Sequence, residues 1–376
     1  MRCLAIESSC DETAAAVVVE TDDGAKPWRI ESSIIASQTA IHREWGGVVP
    51  ELASRQHIRD ICGVIERALA DASIGWRDLD LIAATQGPGL VGSLLVGLSA
   101  AKAIALSLDL PLVPVHHLAG HIESLFLHNG PLPLPAVVLV VSGGHTSLYF
   151  VPREGEYLFV GRTRDDAAGE AYDKVAKLLG LGYPGGPVVD KLAREGNDRA
   201  IDFPIARLTH RDRNAGPAGV KPAGFERALE YRTDFSFSGL KTAVMRYVKQ
   251  RNVELGIVDV ATSAASITVP PFSPQELADV CASFQRAVVE ALLDRTFDAA
   301  RWLDAKSIGI AGGVAANSRL RADAQARGAR VGTPVFVPSL ALTTDNAAMI
   351  AAAGLRRYHA GVTAGWDLNA QASLAL

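Results

Sequence analysis

Two histidines four residues apart raise the question of chemistry. His117 and His121 stand in Val115-His116-His117-Leu118-Ala119-Gly120-His121-Ile122-Glu123. On a helix that spacing sets both imidazoles on one face, as a two-histidine metal site requires; ordinary surface or core histidines are the bland alternative. A zinc-peptidase HExxH reading fails, because Leu118 occupies the place of the general-base glutamate. A third, acidic ligand has to come from elsewhere. Asp345, in Leu342-Thr343-Thr344-Asp345-Asn346-Ala347-Ala348-Met349, sits at an expected helix start. It is either that ligand or the helix N-cap, a role aspartate fills well. Two histidines and one carboxylate leave coordination positions open, which suits Fe(II) or catalytic zinc.

Four glycine turns could cradle a nucleotide: Gly87-Pro88-Gly89, Ser142-Gly143-Gly144-His145-Thr146, Pro184-Gly185-Gly186-Pro187 and Gly312-Gly313-Val314-Ala315-Ala316-Asn317. Glycine admits close backbone approach, and exposed N–H groups favour phosphate oxygens. Each alone is little more than a turn. No GxxxxGK[ST] P-loop and no GxGxxG fingerprint occurs. Four in one chain, two of them after predicted strands, favour a nucleotide. Carboxylates lie near them. Asp173 falls within a helical pattern running to Leu179, where it could accept from ribose hydroxyls or pair with Lys177 one turn on. Asp190 follows the Pro-Gly-Gly-Pro turn with the same two readings. Asp11 and Glu12 lie at a hairpin tip; they could orient water or phosphate, act as a base, or only make the turn polar.

The elements that must position these residues form a repeated plan. Residues 2–7 and 14–19 are strand-like runs around a polar tip, and 136–142 and 146–151 repeat the arrangement. An apolar run at 80–85 leads through Gly87-Pro88-Gly89 to a helix ending near Leu106. A second, at 307–311, leads through Gly312-Gly313 to a helix from about Asn317 to Arg327. Hairpin, helices, strand, glycine turn and helix thus occur twice. A duplicated α/β plan with a central cleft is the layout of actin-like and sugar-kinase ATPases. Residues 210–235 and 257–274 lack periodicity and read as surface insertions in the second copy.

Composition narrows the class. The 376 residues are 48% hydrophobic and 21% charged, which excludes wholesale disorder. A net charge of -4 excludes a protein that coats nucleic acid by charge alone. Residues 207–251 are locally basic, either a solvated face or a landing strip for an anionic polymer. Cys3, Cys10, Cys62 and Cys281 show no CxxC or disulfide-like spacing, as expected in a reducing compartment. The first residues read as a strand rather than a signal peptide. The longest apolar stretch, Leu90 to Leu106, is broken by Gly, Ser and Lys102, so no membrane span and a cytoplasmic location are expected.

Taken together the motifs carry a resemblance. Ile6-Glu7-Ser8-Ser9-Cys10-Asp11-Glu12-Thr13, His117-Leu118-Ala119-Gly120-His121, Val141-Ser142-Gly143-Gly144-His145-Thr146, the run from Asp166 through Gly186, Phe235-Ser236-Phe237-Ser238-Gly239-Leu240-Lys241-Thr242, Gly312 to Asn317 and Thr344-Asp345-Asn346 occur in order over nearly the whole chain. They resemble the tRNA N6-adenosine threonylcarbamoyltransferase family, long labelled O-sialoglycoprotein endopeptidases, and the spacing looks bacterial. The resemblance implies an actin-like, two-lobed α/β fold, with 1–115 as the first lobe, 340–376 returning to it, and 116–339 as the second. It implies transfer of threonylcarbamoyl from threonylcarbamoyl-AMP to N6 of the adenosine 3′ of the anticodon in ANN-decoding tRNAs, with AMP leaving. His117, His121 and Asp345 become metal ligands, with iron the usual family metal. Val140, Val141, Ser142, Gly143, Gly144, Asp173, Gly186, Asp190 and Asn317 become contacts to the adenylate. Asp11, Glu12 and a substrate phosphate are candidate general bases. A TsaB-like paralogue and a TsaE-like ATPase are the implied partners. Nothing carries over to the two insertions. Three rivals are weaker. A protease lacks its glutamate, an actin-like kinase or ATPase leaves the histidine pair unexplained, and a non-catalytic scaffold has no need of three separated ligands.

Overall fold

The structure, a computed structural model, describes residues 1–205, 233–255 and 271–376. Most of the two expected insertions, residues 210–232 and 257–270, lies outside the described residues, as does 207–232 of the basic stretch. The chain opens with β1 (Arg2–Glu7) and returns as β2 (Glu12–Glu20), paired antiparallel from Arg2 with Val19 to Glu7 with Ala14. β3 (Trp28–Ser37) joins β2 on its outer side. After α1 (Thr39–Arg43) and α2 (Pro50–Asp71), β4 (Leu81–Gly87) pairs parallel with β1. A parallel neighbour requires a crossover, and α3 (Val91–Leu108) supplies it before β5 (Leu112–His116). The first sheet therefore runs β3-β2-β1-β4-β5.

The second sheet repeats that order strand for strand. β6 (Ala136–Val141) and β7 (Thr146–Val151) form the hairpin, and β8 (Leu158–Arg162) lies outside β7. β9 (Ser307–Ala311) and β10 (Val335–Phe336) add in parallel, giving β8-β7-β6-β9-β10. Between them come α5 (Ala168–Leu178), α6 (Gly185–Ala193), α7 (Ser238–Glu254), α8 (Pro274–Trp302) and α9 (Ser318–Val331). Pro274, read as the end of an insertion, already begins α8.

Burial explains the apolar runs. β1 turns Leu4 and Ile6 toward α2 and α3, and Cys3 and Ala5 toward α4 (His117–Asn129) and α10 (Ala347–His359). β6 turns Val138 and Val140 toward that same helix pair, and Val137, Leu139 and Val141 toward the helices of the second half. Strands covered on both faces read as continuous rather than alternating hydrophobics. The pair α4 and α10 is thus a helical layer between two sheets, and each helix is buried nearly all round. α4 buries every residue from His117 to Leu127, and α10 every residue from Ala347 to Leu355. Truncating a large side chain such as Met349 there costs about 2–5 kcal/mol. Among the described residues α3 is the one helix long and apolar enough to cross a bilayer. Its Leu94, Leu98, Ala101 and Ala105 are buried inward, and Lys102 donates to Trp366 O at 2.9 Å.

Candidate metal centre and the cleft around it

The candidate residues collect at the carboxyl ends of the parallel strands, where ligands bind in open α/β sheets. β5 ends at His116 and α4 starts at the next residue. The His116 Nδ1 accepts from Leu118 N and its Nε2 donates to Leu374 O, both at 3.1 Å. Burial pushes this imidazole down to about 4, so it stays neutral and fixes the helix start. His117 and His121 follow one turn apart, ring centroids 4.8 Å from each other. Between them Gly120 lets α10 approach: a Cβ there would lie 2.8 Å from Ile350 Cδ1.

Asp345 is not the cap of α10. Asn346 takes that role, its Oδ1 accepting from Met349 N at 3.0 Å. The Asp345 carboxylate instead faces the histidines, Oδ1 at 3.2 Å from His121 Nε2 and 3.6 Å from His117 Nε2. One donor atom from each of the three lies within 4.8 Å of the others. The Nδ1 of His121, fully buried, has no hydrogen-bond partner among the described residues, and its Nε2 faces Asp345 alone. Two imidazole Nε2 atoms converging on one carboxylate oxygen make a ready ligand set. The three side chains fit a metal ion.

A second carboxylate stands behind the first. Glu7, at the buried end of β1, places Oε2 3.1 Å from His117 Nδ1. It accepts from Thr85 Oγ1 at 2.7 Å and from Ser9 N. A carboxylate on the outer nitrogen orients a ligand histidine and fixes its tautomer. Burial opposes the charge of His117, but Asp345 and Glu7 raise it to about 9. Burial likewise pushes Asp345 up, while His117 and His121 hold it well below the usual carboxylate range. Buried Glu7 and part-buried Asp345 thus call for a positive partner, either a proton on His117 or a cation between the Nε2 atoms.

The hairpin tip with Asp11 and Glu12 lies beside this group. His57 of α2 secures it, with Nδ1 2.7 Å from Thr13 Oγ1 and Nε2 2.9 Å from Cys10 O. Burial lowers the His57 pKa, consistent with a neutral ring that accepts from Thr13 and donates to Cys10. Burial, Asp11 and Asp345 push the Glu12 carboxyl up from the usual carboxylate range.

Across the cleft, β6 runs into the turn Ser142-Gly143-Gly144-His145, closed by Ser142 N donating to His145 O at 2.8 Å. A Cβ on Gly143, Gly144 or Gly186 would meet nothing within 4 Å, whereas one on Gly312 (φ +92) would strike Val141 O at 2.4 Å. The first three leave open space; the fourth joins the ends of β6 and β9. Val140 and Val141 are fully buried. Asp173 does not pair with Lys177; its Oδ1 accepts from Gly185 N at 2.7 Å, at the start of α6. Asp190 accepts from Ser318 Oγ at 2.8 Å, Gln285 Nε2 at 3.2 Å and Arg194 at 2.8 Å. Asn317 caps α9 through Leu320 N at 2.9 Å and donates to Gln285 Oε1 at 2.7 Å. Asp190 and Asn317 therefore share one buried network around Gln285, apart from the histidine group. Of the described part of the basic stretch, Lys241 pairs with Asp166 at 3.3 Å and Arg251 with Glu276 at 2.6 Å.

Sequence reasoning passed over Glu7, His57, His145 and Tyr183. The His145 ring lies 6.3 Å from that of His117; burial and the histidine pair lower it to about 4, so it stays neutral. Burial, Asp11 and Asp173 raise the Tyr183 phenol.

The family model described as TsaD, tRNA N6-adenosine threonylcarbamoyltransferase, matches residues 29–352. The chain belongs to that family. This transferase is 48% identical to the tRNA N6-adenosine threonylcarbamoyltransferase of Koribacter versatilis (strain Ellin345), covering 99% of this chain and 98% of that protein. It is 50% identical to the one of Anaeromyxobacter dehalogenans (strain 2CP-C), with 98% of each covered. Its fold is similar to that of full-length HypF solved in the phosphate- and nucleotide-bound form, with a TM-score of 0.55 at 12% identity over 96% of this chain and 46% of that one. The architecture is the actin-like, two-lobed α/β fold. The transferase acts on tRNA, adding threonylcarbamoyl to adenosine N6. Protease, kinase and scaffold readings give way to this one.

Proposed function

We propose that the transferase takes threonylcarbamoyl-AMP as donor and modifies the adenosine 3′ of the anticodon in ANN-decoding tRNAs, releasing AMP. The observation that carries the proposal is the group of buried His117 and His121 with part-buried Asp345, backed by Glu7, at the mouth of a cleft rimmed by open glycine turns. The metal held there is Fe(II), with zinc as the alternative from the same donor set. When bound, it supplies Lewis acidity toward a donor oxygen.

The protein's own residues do the rest. An exocyclic adenine amine is a weak nucleophile, while the carbamoyl-phosphate anhydride is already activated, so alignment and charge stabilisation are the main tasks. The backbone at Gly143, Gly144 and Gly186 is suited to phosphate and ribose oxygens, because nothing in the protein fills the space beside those glycines, while Val140 and Val141, paired within β6, and Ser142 carry the turn to the adenylate. Asp173 holds the start of α6 in place, and Asp190 and Asn317 hold the start of α9. Asp11 and Glu12, on the hairpin tip that His57 secures, and a substrate phosphate are the candidates to receive the proton of the amine. The adenosine arrives from a single-stranded anticodon loop, so its extrusion costs less than flipping from a duplex.

Residues 1–115 with 340–376 form one lobe and 116–339 the other. The return is supported by α10, which packs against α4 and the first sheet. The transferase works in the cytoplasm with a TsaB-like paralogue and a TsaE-like ATPase. The test is nucleoside mass spectrometry of unmodified ANN-decoding tRNA incubated with this chain, the partners and threonylcarbamoyl-AMP. Threonylcarbamoyladenosine that depends on this chain supports the proposal. Its absence, with partners active on another transferase, overturns it.

A further inference from the structure

A buried ion pair joins the two helices that carry the metal ligands. Glu123 lies two residues beyond His121 on α4 and is fully buried. Arg356 lies on α10, the helix that starts just after Asp345, with Nε 2.9 Å from Glu123 Oε2. Its guanidinium stands 4.8 Å from the ring of Trp28 on β3 and 5.2 Å from that of Phe126 on α4. Glu154 completes its pairing, and a Cβ on Gly155 would lie 3.1 Å from Arg356 Cδ. Tyr157 OH donates to the other Glu123 oxygen at 2.5 Å. One side chain thus touches the first sheet, both central helices and the turn after β7 of the second sheet.

We propose that Arg356 is a positioning residue for the metal centre. Paired with Glu123 and clasped by Trp28 and Phe126, it sets the axial register of α10 against α4, and with it the distance of Asp345 from His117 and His121. The packed face of α10 is mostly small: Ala347, Ala348, Ala351, Ala352, Ala353 and Gly354. Met349 and Ile350 against Gly120 fix the N-terminal part of α10 on α4, and the alanines that follow specify axial position weakly, leaving Arg356 to hold the other end; a slip of one residue moves a helix about 1.5 Å, enough to pull Asp345 out of the ligand set. Buried ion pairs add little to stability compared with apolar packing, and fixing register is their best-attested use.

The inference rests on the metal reading above, and Co(II) alone tests both. The full-length chain, stripped with chelator, is titrated with Co(II) and followed by its visible absorption. The double variant Glu123→Gln/Arg356→Met removes both charges together, so neither is left buried alone. The expected result is native far-UV circular dichroism, a Co(II) affinity about tenfold weaker and a shifted band, with Arg356→Lys intermediate. An unshifted band at wild-type affinity with a lowered Tm overturns the inference and makes the pair a stabilising contact only. No Co(II) uptake by the wild-type chain overturns the metal reading and the inference together. If the double variant does not fold, Trp28→Leu keeps both charges, removes one wall of the clasp and is read by the same band.

Discussion

His117 is held between two carboxylates from opposite ends of the chain, Glu7 Oε2 at 3.1 Å from its Nδ1 and Asp345 Oδ1 at 3.6 Å from its Nε2. Glu7 cannot turn away, because Thr85 Oγ1 and Ser9 N occupy its remaining lone pairs. The ring therefore keeps its proton on Nδ1 and presents Nε2 to the ligand position. Outer partners of this kind contribute to metal affinity without touching the ion.

Glu7→Gln keeps the size but removes the charge and leaves one acceptor oxygen where there were two, so it cannot accept from both Ser9 N on one side and Thr85 Oγ1 and His117 Nδ1 on the other. The expected outcome is metal affinity 10- to 100-fold weaker with the fold retained. Metal content after graded chelator dialysis reads it directly. Retention equal to wild type would show that the Glu7 charge does not orient His117.

His117→Ala and His121→Ala each remove a ligand while leaving the apolar packing of α4 to Leu118, Ile122, Leu125 and Phe126. Transfer should fall to background and bound metal should be lost, with far-UV circular dichroism unchanged. Full activity in a metal-free double variant would sink the metal reading.

The histidine pair and the duplicated plan were legible because they are local. Spacing along one helix puts His117 and His121 together, and apolar runs bounded by polar tips mark β1, β2, β6 and β7 whatever their partners. From its neighbours alone Asp345 was open between ligand and cap, and only the resemblance named it a ligand, since Asp345 and Asn346 can both cap a helix and only the backbone decides that Asn346 does. Asp173 was open between a Lys177 pair and another partner, and the distant Gly185 N takes it. Glu7 and His57 were missed because their partners lie far along the chain, His117 for one and Cys10 and Thr13 for the other, and periodicity carries no information on such contacts.

His57→Gln tests whether the hairpin tip must be held still. Glutamine cannot both accept from Thr13 and donate to Cys10 at the two ring-nitrogen positions. One buried polar group is then left unmade, at about 1–3 kcal/mol. Displacing Asp11 and Glu12 by about 1 Å should lower kcat by up to about 100-fold, while metal content stays at wild type. Loss of metal alongside kcat would place His57 in the metal shell rather than at the tip.

Asp165 supplies a pH signature of the second half of the fold. Burial works against its charge, but Ser236 Oγ (2.6 Å), Ser238 Oγ (2.7 Å) and Phe237 N (2.7 Å) all donate to it at the start of α7, and its pKa falls below the ordinary aspartate value. A folded pKa below the unfolded one, about 3.9, means that the unfolded chain binds the proton more readily. Stability from this group is therefore fully present above pH 4 and lost as pH falls through the folded value. An anion at a helix start contributes about 1 kcal/mol or less when exposed and screened. Asp165→Asn should lower urea stability by that amount at pH 7 and match wild type in acid below the folded pKa. A difference that persisted undiminished in acid would mean that shape, not charge, holds the start of α7.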